Sequence, residues 1–327
     1  MMHDLLPWHL DNWTRLLETR TQGRLPHALL LTGIQGLGKA RFARQLAQSL
    51  LCEQPTDDGL ACGQCRQCLL LEAGSHPDLR LVAPEEGKAQ IGIDAVRELV
   101  AGNTLSVGDQ AHRVFIIDPA DSMGRAAANA LLKTLEEPIE GSLIILLSAK
   151  ADRLPITIRS RCQQLNIAVP AQDKAIAWIV RNTQVSRAQA LQLLQLANGA
   201  PLKVPALIEN KALEQHNQLL QSFVALAMGK ASAVQISEAW LKEQALSQLL
   251  LYMASWMEAI VRKKMAPQSE LAFPPLQSLS ERLDSKPAYQ LLDKLHATER
   301  MSMNNLNPQL ALESILLEWS RIANREI

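Results

Sequence analysis

A glycine-rich turn between an apolar run and a helix-forming run constrains this chain more than any other feature. The turn is Gly33-Ile34-Gln35-Gly36-Leu37-Gly38-Lys39, and it follows the apolar residues Ala28-Leu29-Leu30-Leu31. A strand, a glycine turn and a helix, in that order, let backbone N–H groups and a lysine bind phosphate. We therefore predict an α/β domain with a parallel sheet and a phosphate loop. The residues predicted to bind phosphate in that loop are Gly33, Gly36, Gly38 and Lys39.

Three positions lack groups that an ATP-hydrolysing site needs. Ala40 replaces the hydroxyl residue that coordinates magnesium, and Pro119 replaces the glutamate that activates water. Ala149 stands after an apolar run, where a polar residue would sense the γ-phosphate. Asp118 ends another apolar run and is either the magnesium-organising aspartate or a strand-end residue that caps the next turn. Lys39 leaves nucleotide binding open, but we expect no hydrolysis at this chain's own site.

Four cysteines follow the predicted phosphate-loop helix with the spacing C-x9-C-x2-C-x2-C. Their thiols can close around one tetrahedral zinc, and a site with all four ligands used is structural. An iron–sulfur cluster is the main rival, although Leu69 stands where a proline usually follows the last cysteine; unliganded cysteines are the other alternative. The isolated Cys162 is predicted to be a small buried residue at a strand start. The predicted metal ligands are Cys52, Cys62, Cys65 and Cys68.

The charge balance bears on what the chain can bind. Lys plus Arg number 33, and Asp plus Glu also number 33. A protein that holds DNA alone usually carries a basic excess, so the balance favours protein partners and disfavours a zinc-dependent DNA-binding module. The stretch Met1–Pro7 does not resemble a signal peptide, and no apolar run approaches the roughly 20 residues that span a bilayer. We expect a cytoplasmic location.

Two further segments resemble motifs of a known family. The segment Leu154–Cys162 ends in Ser160-Arg161-Cys162, and the segment Asn129–Pro138 reads Asn-Ala-Leu-Leu-Lys-Thr-Leu-Glu-Glu-Pro. With the four-cysteine insert, they resemble the AAA+ subunits of the bacterial DNA polymerase III clamp loader, from residue 1 to about 208. The resemblance implies that Arg161, with Ser160 beside it, is an arginine finger that enters a neighbour's ATP site. Without the motif, Arg161 would be interpreted as an ordinary ion-pair residue.

Within that family, the losses at Ala40, Pro119 and Ala149 favour a non-hydrolysing member over an active gamma/tau-like ATPase, which is the alternative. The resemblance implies a hetero-pentamer with gamma/tau ATPase subunits and a delta subunit as partners. The sliding clamp would be contacted indirectly, and primed DNA only within the complex. It also implies that Leu202, shortly after a glycine turn, replaces a nucleotide-sensing arginine.

The chain is predicted to form three domains. An AAA+ nucleotide-binding-like domain would span 1–168, with a zinc module at 52–68. A small helical lid would follow at 169–208, and an all-α collar that mediates oligomerisation at 209–327. Apolar residues at helical spacing predict four collar helices. Their predicted ranges are 210–228, 233–262, 287–302 and 308–323.

Overall fold

The fold is that of a computed structural model, which describes residues 5–103, 112–138, 140–268, 271–301 and 306–324. The chain forms two compact units. Unit 1 comprises Met1–Trp178 and Gly199–Lys203, and unit 2 comprises Ile179–Asn198 and Val204–Ile327. The three-domain division stays a prediction, and the first four residues of the chain lie outside the described residues. Within those ranges, no helix combines the length and the apolar character that crossing a membrane requires.

Unit 1 is built on a five-stranded parallel sheet with the order β2-β3-β4-β1-β5. Leu30 in β1, an inner strand, pairs with Leu146 on one side and Gln164 on the other. The middle strands are buried on both faces, as the continuous apolar runs predicted. The strands are β1 (Ala28–Thr32), β2 (Leu79–Val82), β3 (Arg113–Ile117), β4 (Ser142–Ser148) and β5 (Gln163–Asn166).

Helices cover both faces of this sheet, which confirms the predicted α/β class. On one face Phe42 and Trp13 pack against Leu29 and Leu31, and on the other Leu131 and Ile158 pack near Leu30 and Phe115. Side chains alternate between the two faces along β1, so each face has its own core. The helices are α1 (Leu10–Thr21), α2 (Lys39–Leu51), α3 (Arg66–Glu72), α4 (Ile93–Asn103), α5 (Arg125–Glu136), α6 (Ile156–Arg159) and α7 (Gln172–Asn182), which continues into unit 2.

The helix α4 begins at Ile93, so Asp94 lies inside its first turn. There its carboxylate is 3.4 Å from Arg97 and close to the positive end of the helix dipole. The short helix α3 was not predicted, because its N-cap is the thiol of Cys65 and not a hydroxyl or carboxylate.

All regular secondary structure in the described residues of unit 2 is helical. Its core is centred on Met253, Trp256 and Met257 of one long helix, and Trp319 stacks on Phe223 with ring centroids 4.2 Å apart. The helices that lie entirely in this unit are α8 (Arg187–Leu196), α9 (Val204–Glu209), α10 (Ala212–Ala227), α11 (Ala233–Glu243), α12 (Leu246–Met265), α13 (Pro275–Arg282), α14 (Ser285–Met301) and α15 (Pro308–Ala323).

The predicted helix 233–262 is in fact two helices. Gln244 and Ala245 adopt extended backbone, and they separate α11, which packs on α15, from α12, which packs on α13 and α14. No glycine or proline marks this break. The helix α13 lies between two of the predicted collar helices, 233–262 and 287–302, and was not predicted. Pro275 occupies its first position, where proline is favourable because that N–H has no helical partner.

Candidate functional site

The predicted phosphate loop has the expected backbone. Gly33, Gly36 and Gly38 have φ values of 136°, 87° and 84°, a range that side chains other than glycine rarely adopt. Gly38 is the N-cap of α2, so the loop leads directly into a helix N-terminus. At the second position of α2, the methyl group of Ala40 packs against the core of unit 1. That position offers no oxygen to a magnesium ion.

Lys39 is buried and is bound by the loop that it belongs to. Its Nζ donates hydrogen bonds to the backbone oxygens of Gly33 at 2.6 Å and Ile34 at 3.0 Å. Burial lowers the pKa of Lys39, while the carboxylates of Asp118 and Asp121 oppose that shift. The lysine and the loop carbonyls therefore satisfy one another without an anion.

Two residues that precede α1 close over the same loop. The Leu37 carbonyl accepts a hydrogen bond from Trp8 Nε1 at 2.9 Å and lies 2.8 Å from His9 Nε2. His9 is fully buried, and burial lowers its pKa to about 4, although the backbone carbonyl of Leu37 favours the proton. The ring is therefore neutral at pH 7, and it carries its proton on Nε2, as donation to a carbonyl requires.

The segment Gly199–Lys203 covers the loop from another direction. The Leu202 N–H donates to the Gly36 carbonyl at 3.2 Å, and Ala200 is buried beneath. A Cβ atom added to Gly36 would lie 2.7 Å from Cγ of Lys203, so the space beside this glycine is already filled. Trp8 and His9, together with Leu202 and Lys203, contact the loop from two directions, and we call these four residues the loop cover.

The acidic groups near the loop are used within the protein. Asp121 Oδ1 accepts the N–H of Ala149 at 3.1 Å, so this carboxylate binds the backbone at the predicted sensor position. Burial raises the pKa of Asp118, and the charges of Lys39 and Arg44 counteract that rise. Asp121 was missed by the sequence analysis, because it follows the strand by several residues and matches no motif.

The four predicted metal ligands lie together. Their Sγ atoms are all within 4.8 Å of one another, and the pairs Cys52–Cys65 and Cys62–Cys68 are each 3.9 Å apart. A tetrahedron with Zn–S bonds of about 2.3 Å has edges of about 3.8 Å, so the donor set and its spacing fit zinc. Backbone N–H groups of Gln64 and Cys65 lower the pKa of Cys62 to about 6, which favours its thiolate, whereas burial raises the pKa values of Cys52 and Cys68.

The segment Ile156–Cys162, which we call the arginine segment, presents Arg161 at the surface of unit 1. Nη1 of Arg161 donates to the Thr157 carbonyl at 2.9 Å, and Nη2 lies 2.6 Å from Oε1 of Glu136. The Arg161 side chain is 35% exposed. The Ser160 hydroxyl donates to the same Thr157 carbonyl at 3.2 Å. Ser160 and Arg161 were predicted from the sequence, whereas the pairing of Arg161 with Glu136 was not.

Arg159 and Cys162 lie within two residues of Arg161 in the chain. Arg159 is half-buried, and its Nε atom has no hydrogen-bond partner among the described residues. Cys162 is buried in the core with Leu154 and Ile158, and burial raises its pKa to about 12. The thiol is therefore neutral, which agrees with its prediction as a small buried residue before β5.

Comparison with known proteins identifies the family. A family model described as "DNA polymerase III, delta subunit" matches residues 9–171, and one described as its C-terminal part matches 210–321. "DNA polymerase III subunit delta'" of Pseudomonas aeruginosa is 32% identical, over 98% of this chain and 99% of its own length. The chain belongs to the delta-prime family. The delta-prime protein of Escherichia coli is also 32% identical, over 95% of this chain and 94% of its own.

A protein named as a gamma subunit also matches, but over less of the chain. "DNA polymerase III subunit gamma" of Buchnera aphidicola is 34% identical over 48% of this chain and 42% of its own length. The delta-prime proteins of Pseudomonas aeruginosa and Escherichia coli cover nearly all of both chains, which confirms the preference for that branch over the gamma/tau branch.

Proposed function

We propose that this chain is the non-hydrolysing subunit of a DNA polymerase III clamp loader. It would assemble with gamma/tau ATPase subunits and a delta subunit into a hetero-pentamer in the cytoplasm. The complex would place the sliding clamp on primed DNA, and this chain would meet DNA only as part of it. Its own contribution would be structural support and one arginine supplied to the ATP site of a neighbouring subunit.

The observation that carries this proposal is a difference between two motifs in unit 1: the charged residue of one is buried, and that of the other is partly exposed. At the phosphate loop, Lys39 binds the loop carbonyls, Ala40 offers no magnesium ligand, and the loop cover fills the space beside Gly36. In the arginine segment, Arg161 is partly exposed and keeps its charge available to a partner. The chain is therefore suited to complete a neighbour's site and poorly suited to hydrolyse ATP at its own.

Arg161 would act by electrostatics. A guanidinium placed in trans neutralises charge that develops on the phosphates during transfer, and fingers of this kind contribute about 10³- to 10⁵-fold to turnover. Ser160 would fix the local turn, because its hydroxyl and Nη1 of Arg161 share the Thr157 carbonyl as acceptor.

The alternative function is that of an active ATPase like gamma/tau. It is favoured by Lys39, the loop glycines and the partial match to a gamma subunit. Against it, the chain has no hydroxyl side chain at position 40 to coordinate magnesium, no general base at Pro119 and no polar sensor side chain at Ala149. Weak nucleotide binding without turnover would be compatible with the first proposal.

Clamp- and DNA-stimulated ATP turnover tests the proposal. We would compare the chain alone, the reconstituted loader, and the same loader with Arg161→Ala. We expect no turnover by the chain alone, strong turnover by the loader, and a loss of about 10³-fold or more with the variant. Turnover by the chain alone would support the active ATPase instead, and an unaffected variant would contradict the arginine finger.

We further propose that Cys52, Cys62, Cys65 and Cys68 hold a structural zinc ion. Purified protein should contain one zinc per chain by atomic absorption, and chelation should lower its melting temperature because metal binding is coupled to folding. Cys68→Ser should lose the metal, whereas Cys162→Ser, which changes a cysteine in the core, should keep it. Iron in place of zinc would show that the site holds a cluster.

A further inference from the structure

The partner of Arg161 within its own chain is Glu136, at the C-terminal end of α5. The two side chains form an ion pair with Nη2 and Oε1 2.6 Å apart. The other terminal nitrogen, Nη1, is held by the Thr157 carbonyl at 2.9 Å. The guanidinium is thus anchored at two atoms by two different elements, α5 and α6. Two anchors fix its orientation, whereas one would let it swing.

These contacts leave the guanidinium able to bind a ligand. A guanidinium has five N–H donors, and the two contacts use two of them. Arg161 remains 35% exposed and Glu136 49% exposed. An ion pair this exposed contributes little to folding stability, because water and salt screen it. The main effect of the ion pair is therefore on the orientation of the Arg161 guanidinium.

We propose that Glu136 is a positioning residue for the arginine finger, an inference that rests on the proposed function of Arg161. The carboxylate holds the guanidinium in one orientation before the neighbouring subunit and its ATP arrive. A free arginine side chain loses much rotamer freedom when it is fixed. Glu136 and Thr157 already restrict the Arg161 side chain in the folded subunit. That part of the entropy cost therefore does not oppose formation of the shared ATP site.

The test compares Glu136→Ala with Glu137→Ala in the reconstituted loader. Glu137 is the next residue, is also exposed, and carries the same charge, so it controls for a general electrostatic change. We expect Glu136→Ala to lower kcat about two- to fivefold, the range that an exposed ion pair supports. The KM for ATP, the zinc content and the melting temperature should not change. Glu136→Asp, which keeps the charge, should restore part of the rate.

A double variant separates positioning from a structural effect. In the Arg161→Ala background, adding Glu136→Ala should cause no further loss, because the group that it positions is already absent. Unchanged turnover in Glu136→Ala, beside a large loss in Arg161→Ala, would overturn this inference and leave the proposed function standing. A higher rate in Glu136→Ala would also overturn it, since Glu136 would then restrain the finger. An unaffected Arg161→Ala would instead reject the proposed function.

Discussion

The phosphate loop and the arginine segment belong to the same unit, but they use their charged residues in opposite ways. Lys39 is buried and donates to two carbonyls of its own loop, whereas Arg161 is partly exposed and paired at the surface. The loop has the backbone of a nucleotide site, and its neighbouring space is filled by the loop cover. The arginine segment needs no cavity, because its proposed ligand belongs to another subunit.

This difference indicates that the two motifs have distinct roles, one in stability and one in activity. Lys39 and His9 are held in buried contacts with the loop, so their loss should change stability. Arg161 makes exposed contacts that are nearly neutral for folding, so its loss should change assembly-dependent turnover. The predictions below test whether stability and activity separate in this way between the two regions.

The first prediction concerns the loss of stability in acid, through His9. Its pKa of about 4 in the folded protein lies below the ordinary value of about 6.5, so the unfolded chain gains a proton first as pH falls. This contribution is fully present above pH 6.5 and is lost between pH 6.5 and 4. At pH 5 the loss is about 2 kcal/mol.

His9→Gln should remove this loss, because an amide can still donate to the Leu37 carbonyl but does not titrate. Urea denaturation at pH 7.5 and pH 5 measures the difference. A second contribution should remain, since burial also lowers the pKa of His216 in unit 2 to about 4. If His9→Gln were as acid-sensitive as the unsubstituted chain, the packing of His9 on the loop would be in error.

The second prediction concerns the space beside the phosphate loop. Gly36→Ala must adopt a φ of 87° and place a Cβ 2.7 Å from Lys203, so it incurs both backbone strain and overlap. We expect destabilisation of about 2–3 kcal/mol. Gly23 has a φ of 66° with nothing within 4 Å of an added Cβ, so Gly23→Ala should cost only about 1 kcal/mol. Equal losses in urea denaturation would mean that the loop is open.

The smallest expected changes in stability come from substituting the two cationic residues, Lys39 and Arg161. Lys39→Ala removes two buried hydrogen bonds and should destabilise the protein by about 1–2 kcal/mol. Arg161→Ala removes exposed contacts and should destabilise it by less than about 1 kcal/mol. Both values come from urea denaturation at pH 7.5, where His9 is neutral in the folded and the unfolded chain. A larger loss with Arg161→Ala would assign that residue a structural role.

Much of unit 1 follows from local pattern. The three apolar runs that form β1, β3 and β4 are strands, because a parallel sheet buries its inner strands on both faces. The cysteine cluster was equally predictable, since ligand spacing in the chain limits the geometry of the site.

Other features depend on contacts that are distant in sequence. The loop cover joins Trp8 and Lys203 to residues 36–38, and no local pattern encodes that closure. The pairing of Arg161 with Glu136 likewise needs the fold to bring α5 and α6 together. In unit 2, the break at Gln244 follows from a change of packing partner, so a helical periodicity continuous across it was misleading.

The central claim is that this chain contributes an arginine, and not an ATPase site, to its assembly. Clamp- and DNA-stimulated ATP turnover by the reconstituted loader, with either Lys39→Ala or Arg161→Ala in this chain, tests it most directly. We expect Lys39→Ala to keep turnover within about twofold of the unsubstituted loader, and Arg161→Ala to lose about 10³-fold or more. A large loss with Lys39→Ala and little loss with Arg161→Ala would contradict the claim.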